Sequence, residues 1–330
     1  IFMRAGKLVS PVTLVDSERN ALELIGGRLS DVIDALKHLN GSLTNLSFED
    51  EGHVWRYKHP TIRDAFAQYL ADNIELLEIY LSGAPLETLF QEVVCPDIEI
   101  EGAKIIIPET YFSLLTKRMH SFKRDSWHSR NQFNNFLTKR SNEQFLSYFL
   151  DSTPNLFDTL RVESSFFLSS EIEVFIKFFE LKLLPEVARQ KVFHSLRDAS
   201  LYSYDTLFMD ESVSQLLTIE ELDIIVHTVK KQVIDDIGTI IDDISSTYEG
   251  DVDPEDLFLD LTSAINEYET FFVEDADICT QLAKAKDWIQ TEIKDLTESR
   301  GVNQDFEHES VYHQTREHIS ERSIFDDVDS

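Results

Sequence analysis

A chain of 330 residues with 42% hydrophobic content can bury large cores, which excludes general disorder and predicts about two to three domains. Its formal charge of −31 lies mostly in residues 141–330 and makes that half a poor candidate for contact with phosphate backbones or anionic membranes. Cys95 and Cys279 lie far apart without paired spacing, which excludes a disulfide framework or a thiolate metal site and points to a reducing, cytoplasmic setting.

The acid is unevenly placed. Residues 1–140 hold 16 Lys and Arg against 19 Asp and Glu, a net of −3, which leaves −28 for residues 141–330. No apolar stretch approaches the roughly 20 residues of a bilayer span, and the candidates near Ile105 and Ile224 are broken by Pro108 and His227. The opening Ile1-Phe2 lacks the order of a signal peptide and reads as the interior of a longer chain.

Asp16 or Ser17 is expected to cap a helix that ends at Ile25 before Gly26 and Gly27. Ser30 is expected to cap a second, whose Val32, Ile33, Leu36 and Leu39 recur at helical spacing. Asn40 and Gly41 open a turn, residues 43–48 read as a strand, Glu49, Asp50, Glu51 and Gly52 as a hairpin tip, and 54–58 as the returning strand. Pro60 starts a third helix, with Ile62, Ala65, Phe66, Tyr69 and Leu70 on one face. Two helices, a β-wing and a following helix predict a winged-helix domain over residues 1–83.

Residues 84–140 read as a connector: an apolar β-like pair (98–100 and 104–107) around Gly102, a helix started by Pro108, and a basic cluster. From 141 to 300 amphipathic helices follow one another with only Gly238 and Gly250 between them, and no strict repeat period emerges. Ser141 with Gln144 and Thr218 with Glu221 fit capping boxes, and Asp253 before Pro254 fits a cap followed by a first-turn proline. Over 301–330 apolar residues thin out, which predicts a flexible acidic tail, with Ile324, Phe325 and Val328 as a short docking motif. The fold class expected is mainly α: a winged-helix domain with a small β-wing, followed by an all-α helical array.

Catalytic signatures are missing from the sequence. A P-loop needs GxxxxGK[ST], and the nearest string, Gly6-Lys7, is followed by Leu8. GxSxG and HExxH do not occur, and ten histidines are scattered without a ligand pattern. The acidic groups Asp235, Asp236, Asp242 and Asp243, and Asp251, Asp253 and Glu255, read as a solvated helix face and a helix cap; Pro254 intrudes on any EF-hand spacing. No catalytic residue and no metal ligand is therefore assigned.

A local anomaly is the run Lys117, Arg118, Lys123, Arg124, Arg130, Lys139 and Arg140 against Asp125 alone, interleaved with His120, Trp127 and His128. Such a patch contacts nucleic acid, the acidic half of the same chain, or another subunit, and the sequence leaves these open. The second helix sets Lys37 and His38 against Asp31 and Asp34, which disfavours DNA readout.

The most informative string is Trp55-Arg56-Tyr57-Lys58-His59-Pro60-Thr61-Ile62-Arg63-Asp64-Ala65-Phe66-Ala67, a strand running into a helix with histidine at the junction. Here the chain resembles STAND NTPases, specifically the group called novel STAND NTPase 3. The segments Leu76-Leu77-Glu78-Ile79-Tyr80-Leu81-Ser82-Gly83, Leu181-Lys182-Leu183-Leu184-Pro185-Glu186 and Asp253-Pro254-Glu255-Asp256-Leu257-Phe258 look like those of the same family's C-terminal region, in the same order.

The resemblance implies a non-catalytic regulatory and sensor region of a nucleotide-switch ATPase in prokaryotic antiviral defence or signalling. In such switches the wing ends in the histidine of an MHD motif, which touches the β-phosphate of ADP in the closed state. His59 matches that histidine, while Pro60 replaces the aspartate. The implied nucleotide is ATP or ADP held by the longer parent, with no cofactor in this chain. The implied partners are the parent's own N-terminal NTPase domain, other subunits or a protein trigger; from hydropathy and charge no membrane partner is expected, and nucleic acid is disfavoured outside the basic cluster.

Competing readings are a winged-helix DNA-binding regulator whose helical half dimerises or recruits a partner, and a pure helical scaffold. For His59 itself the plain alternative is a residue that packs or caps before Pro60. Arg63 and Asp64 read as a surface or interdomain ion pair.

Overall fold

The computed structural model describes residues 1–49, 52–100, 105–162, 169–250 and 252–319, with side chains described to residue 299. It is mainly helical, and the chain divides into two compact units: among the described residues one is built from 1–162 and 169–189, the other from Gln190 onward. The boundaries at 83/84 and 140/141 expected from composition both fall inside the first unit. Arg118 reaches back to the carbonyls of Leu81 and Ala84, and the Cys95 amide donates to the Arg140 carbonyl at 2.8 Å.

The first unit opens with a strand that sequence reading missed, β1 (Lys7–Ser10). Helices α1 (Asp16–Leu24) and α2 (Leu29–Leu39) follow, then strands β2 (Thr44–Glu49) and β3 (Gly52–Tyr57), then α3 (Pro60–Ala71). The antiparallel sheet has order β1-β3-β2, with Leu8 opposite Trp55 and Thr44 opposite Tyr57. Asp50 and Glu51 of the expected hairpin tip lie outside the described residues. Leu8, Val12, Leu36 and Trp55 form a small core between sheet and helices.

Both expected caps shift toward the N-terminus. The Glu18 carboxylate holds the Val15 amide at 3.0 Å and Asp31 holds the Arg28 amide at 2.8 Å, so each acid, sitting at the third helical position, starts its helix earlier than Ser17 or Ser30 would. On α3 the buried positions are Ala67 and Leu70, while Ala65, Phe66 and Tyr69 of the expected face stay exposed.

Helices α4 (Ile74–Gly83) and α5 (Leu86–Glu92) lead to a two-residue strand, β4 (Val93–Val94), paired in parallel with β5 (Ile105–Ile106). The expected local pairing of 98–100 with 104–107 is thereby replaced, because Val93 and Val94 offer a buried partner for Ile105 and Ile106; Gly102 and Lys104 lie outside the described residues. Gly83 lets α4 approach α1 closely, since a Cβ there would lie 2.5 Å from that of Ala21.

Helices α6 (Phe112–Met119), α7 (Trp127–Asn135), α8 (Glu143–Ser152), α9 (Leu156–Thr159) and α10 (Ser170–Glu180) complete the unit around an aromatic core. Phe90 meets Phe122 at 5.0 Å and Phe145 meets Phe112 at 5.1 Å, both edge to face, and Phe136 lies tilted 5.2 Å from Phe90. Asn142 caps α8 by accepting the Phe145 amide at 2.9 Å; Ser141, the expected cap, is fully buried and donates to the Phe136 carbonyl instead.

α11 (Glu186–Tyr202) carries the chain into the second unit, which holds α12 (Glu211–Ser214), α13 (Ile219–Val229), α14 (Ile237–Ser246), α15 (Pro254–Leu257), α16 (Leu259–Phe271) and α17 (Ala276–Ile319). The capping box forms as read: Glu221 accepts from the Thr218 amide at 2.8 Å and Thr218 from the Glu221 amide at 3.2 Å. Leu261, Ile265 and Tyr268 of α16, with Ile278, Leu282, Ala285 and Ile289 of α17, make the buried stripes expected of helices sharing a core. The helix α17 runs past residue 300, where composition places the start of the tail; Ile324, Phe325 and Val328 lie outside the described residues.

Candidate functional site

His59 stands where β3 hands over to α3. Its backbone is extended (φ −141°, ψ 143°), and Pro60, which has no amide hydrogen to satisfy, fills the first helical position. The ring is exposed, and its Nδ1 accepts the Thr61 amide at 3.3 Å and lies 2.9 Å from the Thr61 hydroxyl. With Nδ1 occupied as an acceptor, the ring proton of neutral imidazole belongs on Nε2. The residue therefore does what the plain alternative expects of it, capping α3, and this cap leaves one N–H donor on the exposed part of the ring. Sequence reading found His59 but missed Thr61; the spacing His-Pro-Thr, with a side-chain acceptor two residues ahead of the amide it caps, is the signal that carries it.

Behind the junction, α3 is anchored by a polar triad. Glu92 accepts from Arg63 on one oxygen and from the Tyr80 hydroxyl, at 3.0 Å, on the other. Burial pushes the Tyr80 phenol well above its ordinary range, and the Glu92 carboxylate beside it adds to that. Burial also pushes Tyr57 up to about 12. Arg63 thus forms an ion pair, with Glu92 of its own unit, 29 residues further along the chain.

The cations that DNA binding would need are engaged locally. Lys37 pairs with Asp34 at 3.4 Å, Arg56 with Glu49 at 2.6 Å, and Lys58 donates to the Gly41 carbonyl.

Much of the basic cluster also turns inward. Arg130 pairs with Glu171 at 3.5 Å and Lys139 with Glu173 at 3.6 Å, both acids from the residues beyond 141. Arg124 lies 4.7 Å over the Phe133 ring and donates to Thr159 at 3.1 Å. Burial lowers the guanidinium pKa of Arg118, Arg124 and Arg140. Trp127, at the first position of α7, remains 70% exposed.

The acidic runs behave as helix-end and surface groups: Asp253 accepts the Glu255 amide at 3.0 Å, and Asp235 pairs with Lys231 at 3.0 Å. Asp251 lies outside the described residues. Among the described residues no three His, Cys, Asp or Glu side chains gather as metal ligands would, and no helix is long and apolar enough to cross a membrane. Compared with family models, curated proteins and solved structures, the chain matches none.

Proposed function

We propose that this chain is the non-catalytic regulatory region of a STAND-type nucleotide-switch ATPase, with a winged helix that helps lock the ADP-bound state and a helical array that senses a trigger or contacts other subunits. The observation that carries the reading is the exposed His59 at the β3–α3 junction, its Nδ1 tied to Thr61 so that Nε2–H is the available donor. An imidazole N–H can donate to a phosphate oxygen, and a donor held by a capped helix end loses little freedom on doing so. The winged-helix part is supported by element order: β1 pairs with β3, two helices intervene, and the β2–β3 hairpin runs into α3.

In this account the parent is a cytoplasmic protein of prokaryotic defence or signalling, and its nucleotide is ATP or ADP bound by an N-terminal NTPase domain. A trigger that binds the open state better shifts the population by no more than its differential affinity.

The test is ATP turnover of the parent protein with His59→Asn, which keeps a capping acceptor but removes the imidazole donor, beside His59→Ala. Raised basal turnover in both supports the lock. Unchanged turnover in both contradicts it, and a change confined to His59→Ala reduces His59 to its capping role.

A further inference from the structure

The loop before α7, the N-terminal part of α10 and the chain just after α9 enclose a feature that the switch reading does not use. A solvent-open pocket of about 350 Å³ lies there, within the first unit. Lys123, Arg124, Arg130 and Arg161 contribute to its wall, against the carboxylates of Asp125 and Glu171. Four cations against two anions leave a surplus of two positive charges, in a chain whose formal net charge is −31.

The wall does not absorb that surplus. Glu171 is 9% exposed and divides a single carboxylate between two neighbours: one oxygen accepts the Arg161 amide at 2.6 Å, and the other lies 3.5 Å from Nε of Arg130. The second distance is longer than the roughly 2.7–2.9 Å of a charge-assisted hydrogen bond. The half-buried Arg124 guanidinium touches two neutral groups, the Thr159 hydroxyl at 3.1 Å and the Phe133 ring at 4.7 Å, and burial lowers its pKa. Among the described residues the Arg130 Nη groups have no hydrogen-bond partner, and the Lys123 ammonium has neither a hydrogen bond nor an ion pair. Partly desolvated cations without matching anions are costly, and an anion entering the pocket removes that cost.

The charge and the donor geometry also select among anions. Guanidinium forks match the oxygens of carboxylates and phosphates, but a carboxylate or a phosphodiester brings one negative charge, whereas a terminal phosphate brings about −1.5 to −2 near neutral pH. The concave wall suits a small molecule, and the acidity of the chain as a whole repels a long polyanion. We infer that the pocket binds a phosphate dianion, free or as the terminal group of a small ester, held by Lys123, Arg124 and Arg130. Asp125, in the same wall, repels the ligand and limits its affinity.

The experiment is calorimetric titration of the 330-residue chain at low ionic strength and about pH 8, where terminal phosphates are dianions. The probes are inorganic phosphate, ribose 5-phosphate and an oligothymidylate without a terminal phosphate. Both phosphate dianions are expected to bind, less tightly as salt rises, and the order of their affinities tells free phosphate from ester. Arg130→Gln should weaken binding about tenfold or more and Lys123→Gln about threefold to fivefold, while Asp125→Asn should strengthen it by about threefold to fivefold. The gain in Asp125→Asn is a readout that damage to the fold would not produce. Absence of binding by both phosphates, affinities that the three substitutions leave unchanged, or tighter binding of the oligothymidylate than of ribose 5-phosphate would each overturn the proposal.

Discussion

Removing the Glu92 carboxylate tests whether the triad behind the His59 junction acts as a unit. Tyr80 is 1% exposed and its hydroxyl donates to Glu92 at 3.0 Å, so Glu92→Ala strands a buried hydroxyl at a cost of about 1–3 kcal/mol. Arg63 is 41% exposed, which limits its ion pair to at most about 1 kcal/mol. The expected loss for Glu92→Ala is therefore about 1–4 kcal/mol, and for Glu92→Gln, which keeps a hydrogen-bonding oxygen, about 1 kcal/mol.

Tyr80→Phe should cost about 1–2 kcal/mol in the wild-type background and close to nothing beside Glu92→Ala, where the hydroxyl has already lost its partner. Urea unfolding followed by Trp55 fluorescence, with Trp127 and Trp288 replaced by Phe, reports the first unit. An equal cost of Tyr80→Phe in both backgrounds would show that the hydroxyl and carboxylate are not coupled.

Other outcomes follow from the same physics. Thr218→Ala breaks the α13 capping box and should cost about 1 kcal/mol, read as roughly fivefold faster hydrogen exchange in the first turn of α13, with α3 unchanged. Burial pushes the Glu18 carboxyl up, but hydrogen bonds from Arg4 and the Val15 amide outweigh it and leave the pKa lowered. A lowered folded-state pKa stabilises above the unfolded value of about 4.3 and is lost as pH falls through the folded value, so the urea midpoint of wild type should drop below about pH 5 more steeply than that of Glu18→Gln. Burial raises the Cys95 thiol to about 11, and a neutral-pH thiol reagent should therefore modify half-buried Cys279 well before Cys95; equal rates would contradict the buried placement.

Local chemistry was readable in the sequence where one residue and its near neighbours decide the outcome. The α13 box and the His59-Pro60 start of α3 depend on atoms within three residues of each other, and both form as read. The caps of α1, α2 and α8 were misplaced by one or two residues because several side chains compete locally. Glu18 and Asp31 reach back to earlier amides, and burial of Ser141 hands the cap of α8 to Asn142.

What failed outright was pairing across long stretches of chain. β1 is four residues long and finds β3 about 45 residues later, and β4 meets β5 in parallel across a loop, neither of which leaves a periodic signature. The basic cluster was visible as a composition anomaly, but its partners Glu171 and Glu173 lie about 35 to 40 residues away from Arg130 and Lys139. Likewise the Glu92 that holds Arg63 and Tyr80 has nothing in its own neighbourhood to mark it. At the candidate site the histidine was legible and its tautomer was not, because the tautomer depends on how the Thr61 amide meets the ring.

The proposed contact of His59 with a phosphate of a retained nucleotide is tested by the ADP content of the purified parent protein, for wild type and for His59→Asn. Near-stoichiometric ADP is expected in wild type, and a marked loss in His59→Asn at unchanged helix content. Equal ADP in both proteins, or no nucleotide in either, would contradict it.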